Sequence, residues 1–253
     1  MPSGLIQTEA LDRRTVETLF VQDPGDHKVS NRVELSIWSA LLVVLPVFLQ
    51  APWVRLHPFS ASLFTVVLVS TAIPLGWSTG LRRRRAGALL LGFSGSWLAG
   101  SLFWGWLRAH PAWHLPVEAF ALPLALGGLG TRWRLGCSFY LASLVGTAMT
   151  DLAMALTGVM RYWPQVVEAP LSEAGLLLNS AAQSLRAPSA MIVILGMAVA
   201  ILTTATLMRV NGSRQGPHAE SLTVAASVLI TTVMVDGLFL LLALVHPDLS
   251  GLI

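Results

Sequence analysis

The sequence predicts an all-α fold: a polytopic integral membrane bundle of about seven transmembrane helices, with one further amphipathic helix on its surface. Three observations predict it. Of 253 residues, 54% are hydrophobic and only 11% are charged, against about 25% charged in an ordinary soluble domain. The mean hydropathy is +0.68. The few charges also fall at intervals of membrane length, so they read as punctuation between lipid-facing runs.

Each interval holds the twenty or so residues needed to cross about 30 Å of hydrocarbon. The first helix lies between Glu34 and Arg55, the second between Arg55 and Arg82, and the third between Arg85 and Arg108. The fourth, Arg108 to Arg132, contains Glu118, and the fifth, Arg134 to Arg161, contains Asp151. The sixth lies between Arg186 and Arg209, and the seventh, containing Asp236, between Glu220 and Asp248. Helix is the expected state because lipid offers backbone amides no partner. A β-barrel needs alternating polarity, which runs such as Leu89–Gly92 and Leu238–Leu244 lack.

The stretch Gln165–Ala187 has a different pattern. Leu171, Ala174, Leu178, Ala181 and Leu185 recur at helical spacing, with Ser172, Glu173, Asn179, Ser180, Gln183 and Ser184 on the other face. Such a segment is expected to lie on the outer membrane surface as an amphipathic helix, with a re-entrant segment as the competing reading. The domain plan is therefore a cytoplasmic tail over residues 1–34, in which Thr8–Val21 can form a short helix, a membrane domain over 35–248, and a short outer tail over 249–253. The tail carries no apolar core of a secretory signal.

Orientation follows from the Lys and Arg count. With seven spans, twelve basic residues fall on the side of the N-terminal tail, the Arg82–Arg85 loop, Arg132, Arg134, Arg209 and Arg214. Four fall on the other side, at Arg55, Arg108, Arg161 and Arg186. The positive-inside rule then places the N-terminus in the cytoplasm and the C-terminus outside. The tryptophans fit interfacial belts: Trp38, Trp77 and Trp133 at the inner boundary, and Trp53, Trp104, Trp106, Trp113 and Trp163 at the outer one. Only Trp97 falls well inside a span.

The net charge of +3 does not indicate nucleic acid, because the basic clusters have no stacking aromatics beside them. Cys137 is the only cysteine, so no intramolecular disulfide can form. Phosphate-binding, zinc-protease and nucleophile-elbow motifs are absent. No cofactor and no metal site is expected.

The residues that invite chemistry are the acids within spans. A carboxylate in hydrocarbon costs about 3 kcal/mol or more, so each needs a local reason. Asp151, Asp236 and Glu118 are the candidate intramembrane polar site. Asp151 stands ten residues before Arg161 and Asp236 ten before His246, so both aspartates are expected at similar depth in the outer half of the membrane. If they meet, the pair can hold one proton, or a cation in its place. If they do not, each is a structural hydrogen-bonder between helices. His57, His110, His114 and His246 all fall in outer segments. With Glu118 they offer metal or pH chemistry, but their scatter favours solvated loop histidines. Pro46, Pro74 and Pro123 fall inside spans and should bend them. Gly92, Ser96 and Gly100 stand four apart on the third helix, a small-residue face suited to close packing within the bundle.

The run His114–Gly128, followed by Arg132–Leu144 and Gly146–Gly158, resembles a family of cyanobacterial multi-pass membrane proteins filed as domain of unknown function 3120. The resemblance covers most of the chain after the tail. It implies a plasma or thylakoid membrane, and it implies no catalytic or ligand residues. The function expected from the residues is a carrier or channel-like protein for a small solute or cation, favoured by the buried acids and kinked helices. A structural or assembly partner of a larger, photosynthetic membrane complex is the alternative. An intramembrane enzyme ranks below both, since no nucleophile–base pair can be named.

Overall fold

The computed structural model describes residues 24–213, 216 and 218–245. The Thr8–Val21 segment, His246, Asp248 and the outer tail lie outside the described residues, as does most of the N-terminal tail. Every element among the described residues is helical. Six helices are long and apolar enough to cross a membrane: Asn31–Leu56, Pro58–Trp77, Leu81–Leu107, Arg134–Leu156, Pro188–Ser213 and Ala219–Val245.

Helix α1 spans Pro24–Leu45 and continues through a π-helical turn, Pro46–Gln50, into α2, Ala51–Leu56. Pro46 lacks the amide for an i−4 bond, so the wider turn forms where the sequence removes that donor. The turn swings Gln50 inward. Its Nε2 donates to the Trp97 carbonyl and, at 2.8 Å, to Ser101 Oγ. Helix α3 is Pro58–Trp77 and α4 is Leu81–Leu102, which ends in a second π-helical turn, Phe103–Leu107. Pro74 is accommodated inside α3.

The expected loop at Arg82–Arg85 is instead the first turn of α4. Four cations at a helix N-terminus oppose its dipole. Two acids offset this: Glu34 accepts from Arg82 at 2.7 Å, and Glu220 pairs with Arg85. Arg32 adds a 2.8 Å bond to the Ser213 carbonyl. These contacts gather Arg32 and Glu34 of α1, the start of α4, the end of helix α10 (Pro188–Ser213) and the start of helix α11 (Ala219–Val245).

The core lies where α1, α4, helix α7 (Arg134–Leu156) and α11 converge. Phe93, Trp97, Phe139, Val224 and Val228 are almost fully buried there. Backbone approach sets the spacing of α4 and α7. Gly92 and Gly136 face each other, and a Cβ on Gly136 would strike the Ala88 carbonyl. Phe93 packs edge-on against Phe139, 6.4 Å between centroids. Rising numbers on α4 thus meet rising numbers on α7, so the two helices run parallel. The same holds for α7 and α11, where Gly146 meets Thr232 and Thr150 meets Asp236.

Parallel α4 and α7 have a consequence for the chain between them. Residues 108–133 must return along the length of the bundle. A continuous fourth helix was the expectation, and the structure breaks it. A 3₁₀ turn, Pro111–Trp113, leads into α5 (His114–Glu118). A turn follows, and then α6 (Leu122–Gly128). Pro116 and Pro123 each deny a backbone donor within this stretch. On the far side of α7, a 3₁₀ turn at Val159–Tyr162, helix α8 (Trp163–Glu168) and helix α9 (Leu171–Ser184) join α7 to α10. On α9, Ala174, Ala181 and Ala182 are buried while Ser172, Glu173, Ser180 and Gln183 are exposed. Asn179 anchors it by donating to the Ala243 carbonyl at 2.7 Å.

Candidate functional site

The break between α5 and α6 leaves backbone groups without helical partners, which an apolar surrounding cannot tolerate. One side chain meets that need from α7. The Tyr140 hydroxyl donates to the Glu118 carbonyl and accepts from the Ala121 amide at 3.2 Å. The two ends of the break are thereby tied to one oxygen.

Helix α5 begins with His114, which is buried. Its Nδ1 lies 2.9 and 3.0 Å from the two carboxylate oxygens of Asp151, itself buried on α7. The reading of His114 as a solvated loop histidine is therefore corrected. The reversal of the chain after Leu107 carries the residue beneath the ends of α4 and α7 instead of out into solvent. Around the imidazole stand Phe103 at 4.3 Å, Trp163 at 5.7 Å and Trp104 at 6.3 Å between centroids. Trp163 is fixed by donating to the Arg108 carbonyl at 2.7 Å. Glu118 follows His114 by four residues, so both lie on one face of α5, and it too is buried.

Three of the four polar groups thus converge: His114 and Asp151 directly, and Glu118 one turn away. Asp236 is placed differently. It lies on α11 level with Thr150, whose hydroxyl is 2.6 Å from its Oδ2. Asp236 is exposed, in contrast to Asp151. The two aspartates are therefore at similar depth, but Asp151 turns toward His114, and Thr150, its neighbour in sequence, faces Asp236.

A buried His–carboxylate pair can hold a proton in either of two ways: as imidazolium and carboxylate, or as neutral imidazole and acid. A charged pair enclosed by aromatic rings gains Coulomb energy only by losing hydration. Among the described residues, no three His, Cys, Asp or Glu side chains are grouped to hold a metal ion.

Sequence reasoning named Asp151, Glu118 and Asp236 but did not place His114 in the site, and did not name Tyr140 or Gln50. A signal for His114 was present. The expected span Arg108–Arg132 is the one that holds three prolines, Pro111, Pro116 and Pro123, together with the adjacent pair Gly127–Gly128, and Pro/Gly-interrupted apolar segments are where transporters build polar sites.

A family model described as "Protein of unknown function (DUF3120)" matches residues 39–244. No curated protein and no solved structure matches the chain.

Proposed function

The chain belongs to the DUF3120 family, whose function is unknown, and from that premise we propose that it is a carrier for a small solute or cation, coupled to a proton held at His114 and Asp151. Six long apolar helices make it a membrane protein. Residues 108–133 supply a seventh, discontinuous crossing, with the N-terminus cytoplasmic and the C-terminus outside. The observation that carries the reading is the His114–Asp151 pair, buried where that crossing breaks. Ionisable groups inside a membrane are costly and mark ion or proton pathways. Discontinuous helices place such groups beside backbone that can shift between two arrangements. Glu118 is the neighbouring carboxylate of the site, whereas Asp236 stands apart from it on the Thr150 hydroxyl.

The test is transport in proteoliposomes under an imposed proton gradient, read as current on a solid-supported membrane across a panel of alkali cations, amino acids and organic acids. The wild type should give a proton-dependent current with at least one class. Asp151→Asn should abolish it while the protein stays abundant and folded. No current with any solute, together with a stoichiometric large partner on mild extraction, contradicts the carrier reading. That outcome would favour an assembly role instead. The observation on that side is α10, whose Ile192, Leu195 and Val199 are exposed along one flank.

A further inference from the structure

Beside the broken crossing, a cavity of about 360 Å³ runs between α3, α4, α6 and α7. Its floor is Gly92 and Gly136, where the backbones of α4 and α7 touch. The walls are apolar: Val69, Leu91 and Leu98 on one side, Phe120 and Leu124 on the other. Leu124 is 78% exposed, so the cavity opens sideways, toward whatever surrounds the bundle. A dry cavity of about 150 Å³ already accepts benzene, so this one has room for a longer chain.

Its length and its end identify the occupant. On α4 the lining runs from Ala88 to Leu98, ten residues and therefore about 15 Å. That is half of a hydrocarbon core about 30 Å thick, the depth of one leaflet. One end is closed by Trp133. Beside it stand Arg132, whose guanidinium lies 3.9 Å over the Trp77 ring, and Arg134. Neither arginine pairs with a carboxylate among the described residues. An apolar slot one leaflet deep, ending at a tryptophan that is flanked in sequence by two arginines, complements an amphiphile with an apolar tail and an anionic head. We propose that this groove is a binding site for an anionic phospholipid of the leaflet facing Arg132–Arg134, with its phosphate on the two arginines and one acyl chain between α3 and α6. Tyr140, which ties the break together, also lines the groove, so the bound chain contacts the element that positions His114.

Native mass spectrometry of the full chain in mild detergent tests this, using phosphatidylglycerol and phosphatidylcholine of identical acyl chains as probes. The wild type should retain one phosphatidylglycerol, preferred over phosphatidylcholine roughly 30-fold if each arginine near the surface contributes its usual share. Arg132→Gln with Arg134→Gln should remove that preference. Cys137→Phe fills the groove from α7 and should lose both lipids, with circular dichroism and thermal midpoint showing that the protein still folds. Should that variant not fold, Cys137 itself reports, being the only cysteine: a membrane-permeant maleimide should label it in lipid-free detergent, and added phosphatidylglycerol should protect it. Equal retention of the two lipids, retention unchanged by Cys137→Phe, absence of protection, or a dimer that excludes lipid would overturn the proposal. None of these outcomes bears on proton coupling at Asp151, which the transport test reads separately.

Discussion

The two ends of the α4–α7 pair are built on opposite principles. At one end the helices touch backbone to backbone through Gly92 and Gly136. The contact depends on the absence of side chains. At the other end the same two helices are held through side chains: Phe103 from the end of α4, Asp151 from α7, and His114 inserted between them from a third segment. The difference teaches where this bundle is rigid and where it can change. A glycine seam has one arrangement. His114 reaches Asp151 from a five-residue helix that a single tyrosine hydroxyl ties to α7.

The largest expected effect breaks the rigid end. Gly136→Val drives a branched side chain into the Ala88 carbonyl, and no flexible side chain is there to yield. Overpacking of this kind costs about 3 kcal/mol or more, so the variant should be nearly absent from the detergent-soluble folded fraction on size-exclusion chromatography. Asp151→Leu comes next. It strands His114 in an aromatic pocket, and removing one partner of a buried pair costs about 3 kcal/mol, whereas Asp151→Asn keeps an acceptor and should lose about 1 kcal/mol. Thermal midpoints of the two variants should separate in that order. Tyr140→Phe removes two hydrogen bonds at the break and should cost about 2 kcal/mol, lowering protection of the Glu118–Ala121 amides in hydrogen exchange more than that of α4. The smallest effect belongs to the exposed ion pair. Glu34→Gln, facing an Arg82 side chain that is 80% exposed, should leave the thermal midpoint essentially unchanged, because solvent screens such a pair. A larger loss would show that the end carrying Arg32, Glu34 and Arg82 acts as a coupled network.

Most of the fold was legible because membranes make sequence patterns explicit. Charges must sit at the ends of spans, so Arg55, Arg108, Arg134 and Glu220 bracket helices within a few residues of where the structure places them. The packing of Gly92 within the bundle was equally readable, since a small-residue face at four-residue spacing needs a neighbouring backbone. The break at α5–α6 was not. Composition alone makes Arg108–Arg132 look like its neighbours, and only the combined effect of Pro116, Pro123 and the Gly127–Gly128 pair distinguishes it. The site was half legible for the same reason. An acid inside a span announces itself by its cost, so Asp151 and Glu118 stood out. A histidine near a span boundary carries no such cost, and its burial depends on where a broken helix turns. Asp236 shows the converse: equal depth was readable from spacing, but facing was not, since one residue along α7 turns the direction by about 100°.

The central claim is that residues 108–133 form a discontinuous crossing that delivers His114 to Asp151. Side-resolved labelling tests it most directly. In a Cys137→Ala background, single cysteines at Ala112 and Thr131 would be treated with a membrane-impermeant maleimide, in sealed right-side-out and inverted vesicles. The account predicts that Ala112→Cys reacts only from outside and Thr131→Cys only from the cytoplasmic face, on opposite sides of the membrane although nineteen residues apart in sequence. Labelling of both from the same face would contradict it.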